Sequence, residues 1–126
     1  MFNAHQLEEM SDYFQKPPRE SADVMTHGDL TSQNILVDRE RLAGELDCGG
    51  FGPADPARDV IAGWHLLENG PRDVFRAQLC CDELEWKRSR AWAFVQALGA
   101  VWYYVDSNPV MHTMGHLTLS RIIASH

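Results

Sequence analysis

The chain has only two lysines, Lys16 and Lys87, in 126 residues, and Asp plus Glu outnumber Lys plus Arg by 18 to 11. The resulting net charge of −7 argues against non-specific nucleic-acid binding, which needs clustered basic side chains against phosphates. It suits a cationic small molecule or a metal ion, and equally well a solvated acidic surface with no partner. No apolar run of about eighteen residues exists, so no membrane span is expected. The opening MFNAHQLEEM has neither a basic n-region nor an apolar h-region, and no secretion is expected from it. The three cysteines, Cys48, Cys80 and Cys81, include no CxxC, and adjacent Cys80-Cys81 cannot easily bridge. The six histidines are scattered without an HExxH. A reduced, cytoplasmic compartment is the expectation.

What is present is an ordinary globular composition, 44% hydrophobic and 23% charged, in a length that buries a core as one domain, 1–126. Helical spacing of Leu7, Met10 and Tyr13 or Phe14 predicts a helix over Ala4–Gln15, ended by Lys16-Pro17-Pro18. Two short strands are expected at Asn34–Asp38 and Leu42–Asp47, joined by a polar turn at Arg39–Arg41. The Gly- and Pro-rich Cys48–Asp59 reads as an irregular loop. From Ala57 onward the pattern is helical. Val60, Ile61, Trp64 and Leu67 form one stripe, stopped by Asn69-Gly70-Pro71, and Arg72–Cys81 is a shorter helix. Asp82 caps a long helix whose Ala91, Phe94, Val95, Leu98, Val101, Trp102 and Val105 follow the 3.6 period. Asn108-Pro109 breaks it before a last helix over Met111–Ala124. Trp64, Trp86, Trp92 and Trp102 are expected in a core or interface. The fold class is α+β, mainly α, with one short β-hairpin packed on helices.

The stretch THGDLTSQNILVD, Thr26–Asp38, places an acid and an amide in a polar loop directly before an apolar run. With a two-residue turn at Glu40-Arg41, antiparallel pairing sets Asn34 opposite Asp47, their Cβ atoms roughly 5 Å apart. A one-residue slip keeps the two ends adjacent. Asp29 feeds the same open end. A carboxylate and an amide oxygen at one point, with water completing the shell, suit a hard Mg²⁺ ion. A second carboxylate nearby can orient a hydroxyl nucleophile.

His27-Gly28-Asp29-Leu30-Thr31-Ser32-Gln33-Asn34, followed by a hairpin and Asp47-Cys48-Gly49, resembles the H-R-D-L-x-x-x-N and D-F-G signature of protein-kinase-like enzymes. Gly28 in place of the middle Arg is similar to the aminoglycoside phosphotransferase family, as is GPADPARDV beside that family's D-P-A-x-D-L segment. The resemblance runs from Val24 to the C-terminus. It implies that Asp29 is the catalytic acid orienting the acceptor hydroxyl, and that Asn34 and Asp47 hold Mg²⁺ on ATP phosphates. It implies further that His27 and Asp59 support the catalytic loop, Asp59 by accepting its backbone N–H groups. Each residue also has a plainer role. Asp29 can bond its own backbone in a turn, Asn34 can open a strand, and His27 can be a satisfied core histidine. Asp59 can be a helix N-terminal charge, and Asp55 can turn the chain around Pro56.

The family's first lobe supplies a phosphate-covering loop and a strand Lys with its Glu partner, and none of these is found here. No GxGxxG occurs, Lys16 precedes Pro-Pro, and Lys87 falls in a helix. The expectation is a C-terminal lobe lacking its nucleotide lobe and inactive alone. The completed enzyme would be an antibiotic-resistance type of kinase, phosphorylating a hydroxyl of a small molecule such as an aminoglycoside. Its partners would be that acceptor and either a missing lobe or a second copy of itself. The alternative is a catalytically silent, kinase-like helical module for interaction or oligomerisation.

Overall fold

The computed structural model describes residue 5, residues 22–46 and residues 50–125. Of the helix expected over Ala4–Gln15 only His5 is described, and it is helical. Asp47, Cys48 and Gly49 lie outside the described residues.

Two small antiparallel sheets precede the helices, where one hairpin was expected. Strand β1 (Val24–Thr26) pairs with β4 (Gly52–Ala54), Val24 opposite Ala54 and Thr26 opposite Gly52. The Gly/Pro-rich segment is therefore part strand rather than wholly irregular. Pro53 is tolerated there because both strands of a two-stranded sheet are edges, where a missing N–H breaks no second ladder. Strands β2 (Ile35–Asp38) and β3 (Arg41–Glu45) form the second sheet.

The turn of this hairpin is Arg39-Glu40, one residue earlier than expected. Both residues take positive φ, 51° and 63°, which matches the right-handed twist of the flanking strands. A bulge between the Leu36–Gly44 and Val37–Leu42 pairs leaves Ala43 unpaired on β3. Ile35 then faces Glu45, and the Leu46 N–H donates to the Asn34 carbonyl at 2.8 Å; the expected pairing of Asn34 with Asp47 falls outside the described residues. Among the described residues the hairpin stands largely clear of the helices. Leu36, Val37 and Leu42 all point to solvent, Val37 at 67% exposure.

Five helices follow: α1 (Ala57–Val60), α2 (Ala62–Leu66), α3 (Asn69–Leu79), α4 (Glu83–Tyr103) and α5 (Pro109–Ala124). Asn69-Gly70-Pro71, read as a stop, opens α3 instead. A proline in a first turn loses only an N–H that has no partner there anyway. Asp82 caps α4 through the Glu85 N–H at 2.7 Å, and Asn108 caps α5 through Met111 N–H at 3.2 Å with Pro109 in its first turn.

The core lies among α1, α2, α4 and α5, formed by Val60, Ile61, Trp64, Trp86, Phe94, Leu119 and Ile122. Trp64 and Trp86 stack with ring centres 5.2 Å apart, and the Trp64 indole N–H donates to Ser89. The inward face of α4 differs from the expected stripe. Ala93, Phe94, Ala97 and Ala100 are buried, whereas Val95, Trp102 and Val105 face outward, Trp102 at 72% exposure. Small residues set this face because α5 comes very close: a Cβ on Gly115 would stand 2.7 Å from the Ala97 carbonyl.

Candidate functional site

Strand β1 delivers the chain to the site. Thr26, buried, donates its hydroxyl to the Gly52 carbonyl at 3.1 Å, so β4 fixes where the loop begins. The chain then turns sharply at Gly28, whose φ of 86° disfavours any side chain. Asp59 on α1 accepts both amides of this turn, His27 N–H at 3.0 Å on one oxygen and Gly28 N–H at 2.9 Å on the other. Charge-assisted bonds to backbone donors of this kind are stronger than neutral ones.

His27 is buried and satisfied on both ring nitrogens. Nδ1 accepts the Asp29 N–H at 3.2 Å, so Nε2 carries the proton and donates to the Leu46 carbonyl at 2.7 Å. The ring thus ties the loop to the end of β3. Beyond it, Thr31 N–H returns to the Asp29 carbonyl at 2.9 Å, and a single 3₁₀ turn, Ser32–Asn34, brings Asn34 back beside Asp29. Asn34 enters from this turn, not from a strand.

The Asn34 amide nitrogen donates to the Asp29 carbonyl at 2.8 Å and to its carboxylate Oδ2 at 3.1 Å. Among the described residues nothing donates to the Asn34 amide oxygen, which leaves a hard oxygen donor free. That matches what Mg²⁺ takes from a protein. No three His, Cys, Asp or Glu side chains are placed to hold a metal ion by themselves among the described residues. The structure therefore brings together Asp29, Asn34, His27 and Asp59, while Asp47 lies outside what it describes.

Beside Asp29 opens a cavity of about 220 Å³ lined by Gly28, Arg58, Ile61, Trp92, Val95 and Gln96. A family model described as the phosphotransferase enzyme family matches residues 3–98. The chain belongs to the phosphotransferase enzyme family. No solved structure matches it.

Several residues of this phosphotransferase-family loop region were given no part in the site by the motif reading. Asp55, half of a turn in sequence, accepts Ala57 N–H at 3.0 Å and pairs with Arg88 of α4 at 2.9 Å, both buried. Arg88 thereby pins the start of α1, and with it Asp59, to the helical body. Gln96 of α4 donates to Asp29 Oδ1 at 2.9 Å. The one available hint was a polar residue inside the apolar run Phe94-Val95-Gln96-Ala97-Leu98. Arg58 stands over the Trp92 ring at 5.5 Å and makes no hydrogen bond or ion pair among the described residues. Its position between Pro56-Ala57 and Asp59 read only as a variable place in the D-P-A-x-D pattern.

Proposed function

We propose that the chain, as a single domain, is the C-terminal acceptor- and metal-binding lobe of an ATP-dependent kinase for small molecules. Residues 29 and 34 carry the reading: a half-buried carboxylate and an amide oxygen without a donor among the described residues sit on one loop that Asp59 and His27 hold rigid. Phosphoryl transfer asks the protein mainly for positioning and charge neutralisation, and a braced loop supplies the first.

In this reading Asp29 accepts the proton of the acceptor hydroxyl. The hydroxyl oxygen forms its bond to the γ-phosphorus as the bond to the bridging β–γ oxygen breaks, and ADP leaves. Asn34 Oδ1, with Asp47, would hold Mg²⁺, which neutralises phosphate charge. The cavity beside Asp29 takes the acceptor. Net acidity draws a cationic molecule of the aminoglycoside kind, whereas Arg58 in the cavity wall favours a polar or anionic group at that contact.

The exposed apolar hairpin supports the lobe assignment, because Leu36, Val37, Leu42 and Leu46 would be covered by a nucleotide-binding partner lobe. The test is calorimetric titration of Mg²⁺–ATP into the wild-type chain and Asp47→Ala. Heat that disappears in the variant supports a metal–nucleotide site, and absence of heat from the wild type overturns it.

A second reading, a silent helical interaction module, is favoured by Trp102, Tyr103, Val105 and Val110, which crowd apolar surface at the corner between α4 and α5. It predicts concentration-dependent association by light scattering, abolished by Trp102→Asp and Tyr103→Asp together, with no response to nucleotide.

A further inference from the structure

From the Asp29 carboxylate a chain of polar groups runs into the middle of the helical body. Gln96 Nε2 donates to Asp29 Oδ1 at 2.9 Å, Gln96 Oε1 lies 2.9 Å from His65 Nε2, and His65 Nδ1 lies 2.9 Å from Thr118 Oγ1. The four groups come from the loop, α4, α2 and α5, and both His65 and Thr118 are buried. Leucine or valine would fill the last two positions at no desolvation cost. Polar groups there are tolerated only if every one is satisfied.

Satisfying them all forces one direction on the chain. A carboxylate only accepts, so the Gln96 amide turns its NH₂ toward Asp29 and its oxygen toward His65. His65 must then donate from Nε2. Burial pushes the His65 pKa below its ordinary 6.5, with the Gln96 bond and the Asp29 charge opposing and the Arg121 charge adding to the lowering. A neutral ring donating from Nε2 accepts at Nδ1, and the Thr118 hydroxyl supplies that proton. Flipping any link orphans a buried donor or acceptor, which then bears its full desolvation penalty. The Gln96 donor is therefore fixed, and it holds one oxygen of Asp29 while Asn34 holds the other.

We propose that Gln96 is a positioning residue that locks the carboxylate rotamer of Asp29, its own amide oriented by His65 and Thr118. The catalytic meaning of this lock rests on Asp29 being the base of the transfer proposed above. The lock itself does not.

The test has two readouts on the full 126-residue chain. In long-range ¹⁵N–¹H spectra the His65 ring should show a protonated Nε2 and an unprotonated Nδ1, and Gln96→Ala or Thr118→Val should each move the Asp29 carboxyl ¹³C signal. Thr118→Ser, which keeps the hydroxyl, should leave that signal in place. The opposite tautomer, or an unmoved Asp29 signal in a folded Gln96→Ala chain, overturns the proposal. Should Gln96→Ala fail to fold, the comparison of Thr118→Val with Thr118→Ser decides on the same criterion.

The second readout is Mg²⁺–ATP turnover. Gln96→Ala should lower kcat on the order of 10–100-fold with KM for ATP unchanged, the signature of a misplaced base rather than lost binding. Unchanged kcat, or a loss confined to KM, overturns the positioning role. A wild-type chain with no turnover is the result expected of a lobe without its nucleotide-binding partner, and the spectra then decide the lock.

Discussion

Residues 24–59 and residues 60–125 of this chain are held together by different forces. In the helical body apolar side chains do the work: Trp64, Phe94, Leu119 and Ile122 interlock, and Gly115 lets α4 and α5 touch. In the loop region the apolar side chains of both sheets face largely outward, and shape comes from side chains that bond backbone. Asp59 grips two amides, His27 grips the end of β3, and Asn34 grips a carbonyl. A core of the first kind takes its shape mainly from packed volume. A loop of the second kind places a few oxygens accurately, and among the described residues Asp55–Arg88 and Gln96–Asp29 bond it to the body.

The strongest way to break this contrast is to empty the core. Phe94→Ala, at a position 3% exposed, should lose about 3–5 kcal/mol in denaturant unfolding. Val37→Ala on the open hairpin should change stability by less than about 0.5 kcal/mol. Equal losses at the two sites would erase the distinction.

Next in size is the contact between helices. Gly115→Ala pushes a methyl to within 2.7 Å of the Ala97 carbonyl and should cost about 1–3 kcal/mol, read as a lowered Tm.

Asp59→Ala sharpens the comparison, because it strips two amides of their acceptor and leaves the core intact. Hydrogen exchange at His27 and Gly28 should accelerate in a loop weakened by about 1–3 kcal/mol, while amides of α4 and α5 keep their protection.

Acidification tests where the regions join. Burial, the main cause, holds the His65 pKa below 6.5, so the unfolded chain binds a proton that the folded chain refuses. Its contribution to stability is full above pH 6.5 and is lost as pH falls through the folded value. His65→Gln should flatten this part of the stability–pH curve.

The smallest effect is a gain. Arg39→Asn with Glu40→Gly supplies residues suited to the positive φ of the hairpin turn and should add up to about 1 kcal/mol, with the helical body unchanged.

Local chemistry was readable without coordinates wherever it involved near neighbours in sequence. Asp82 announces a helix start because a cap bonds an N–H three residues on; Asn108-Pro109 was read as a break, and Asn108 caps the next helix in the same way. The spacing of His27, Asp29 and Asn34 announces a polar loop because its own turns bring those groups together. Phe94 and Ala91 signal the long helix by period, yet period alone did not say which face α5 would cover, and Trp102 and Val95 face solvent instead. Asn69-Gly70-Pro71 misled because the same residues that end a helix also fit the first turn of the next. The pairing of β1 with β4 was hidden, since strands of three residues have no alternation to detect.

By itself the sequence determined the start of the long helix at Asp82, the polar loop with its acid and amide, and the kinship those residues carry, because each rests on residues a few positions apart. Only the tertiary structure decided that Gln96 reaches Asp29 across 67 positions, that Arg88 pairs with Asp55 across 33, and that His65 and Thr118 complete a polar chain in the core. Contacts at such separation depend on which helix faces meet. That choice is made by packing volume summed over the whole body, and no short stretch of sequence records it.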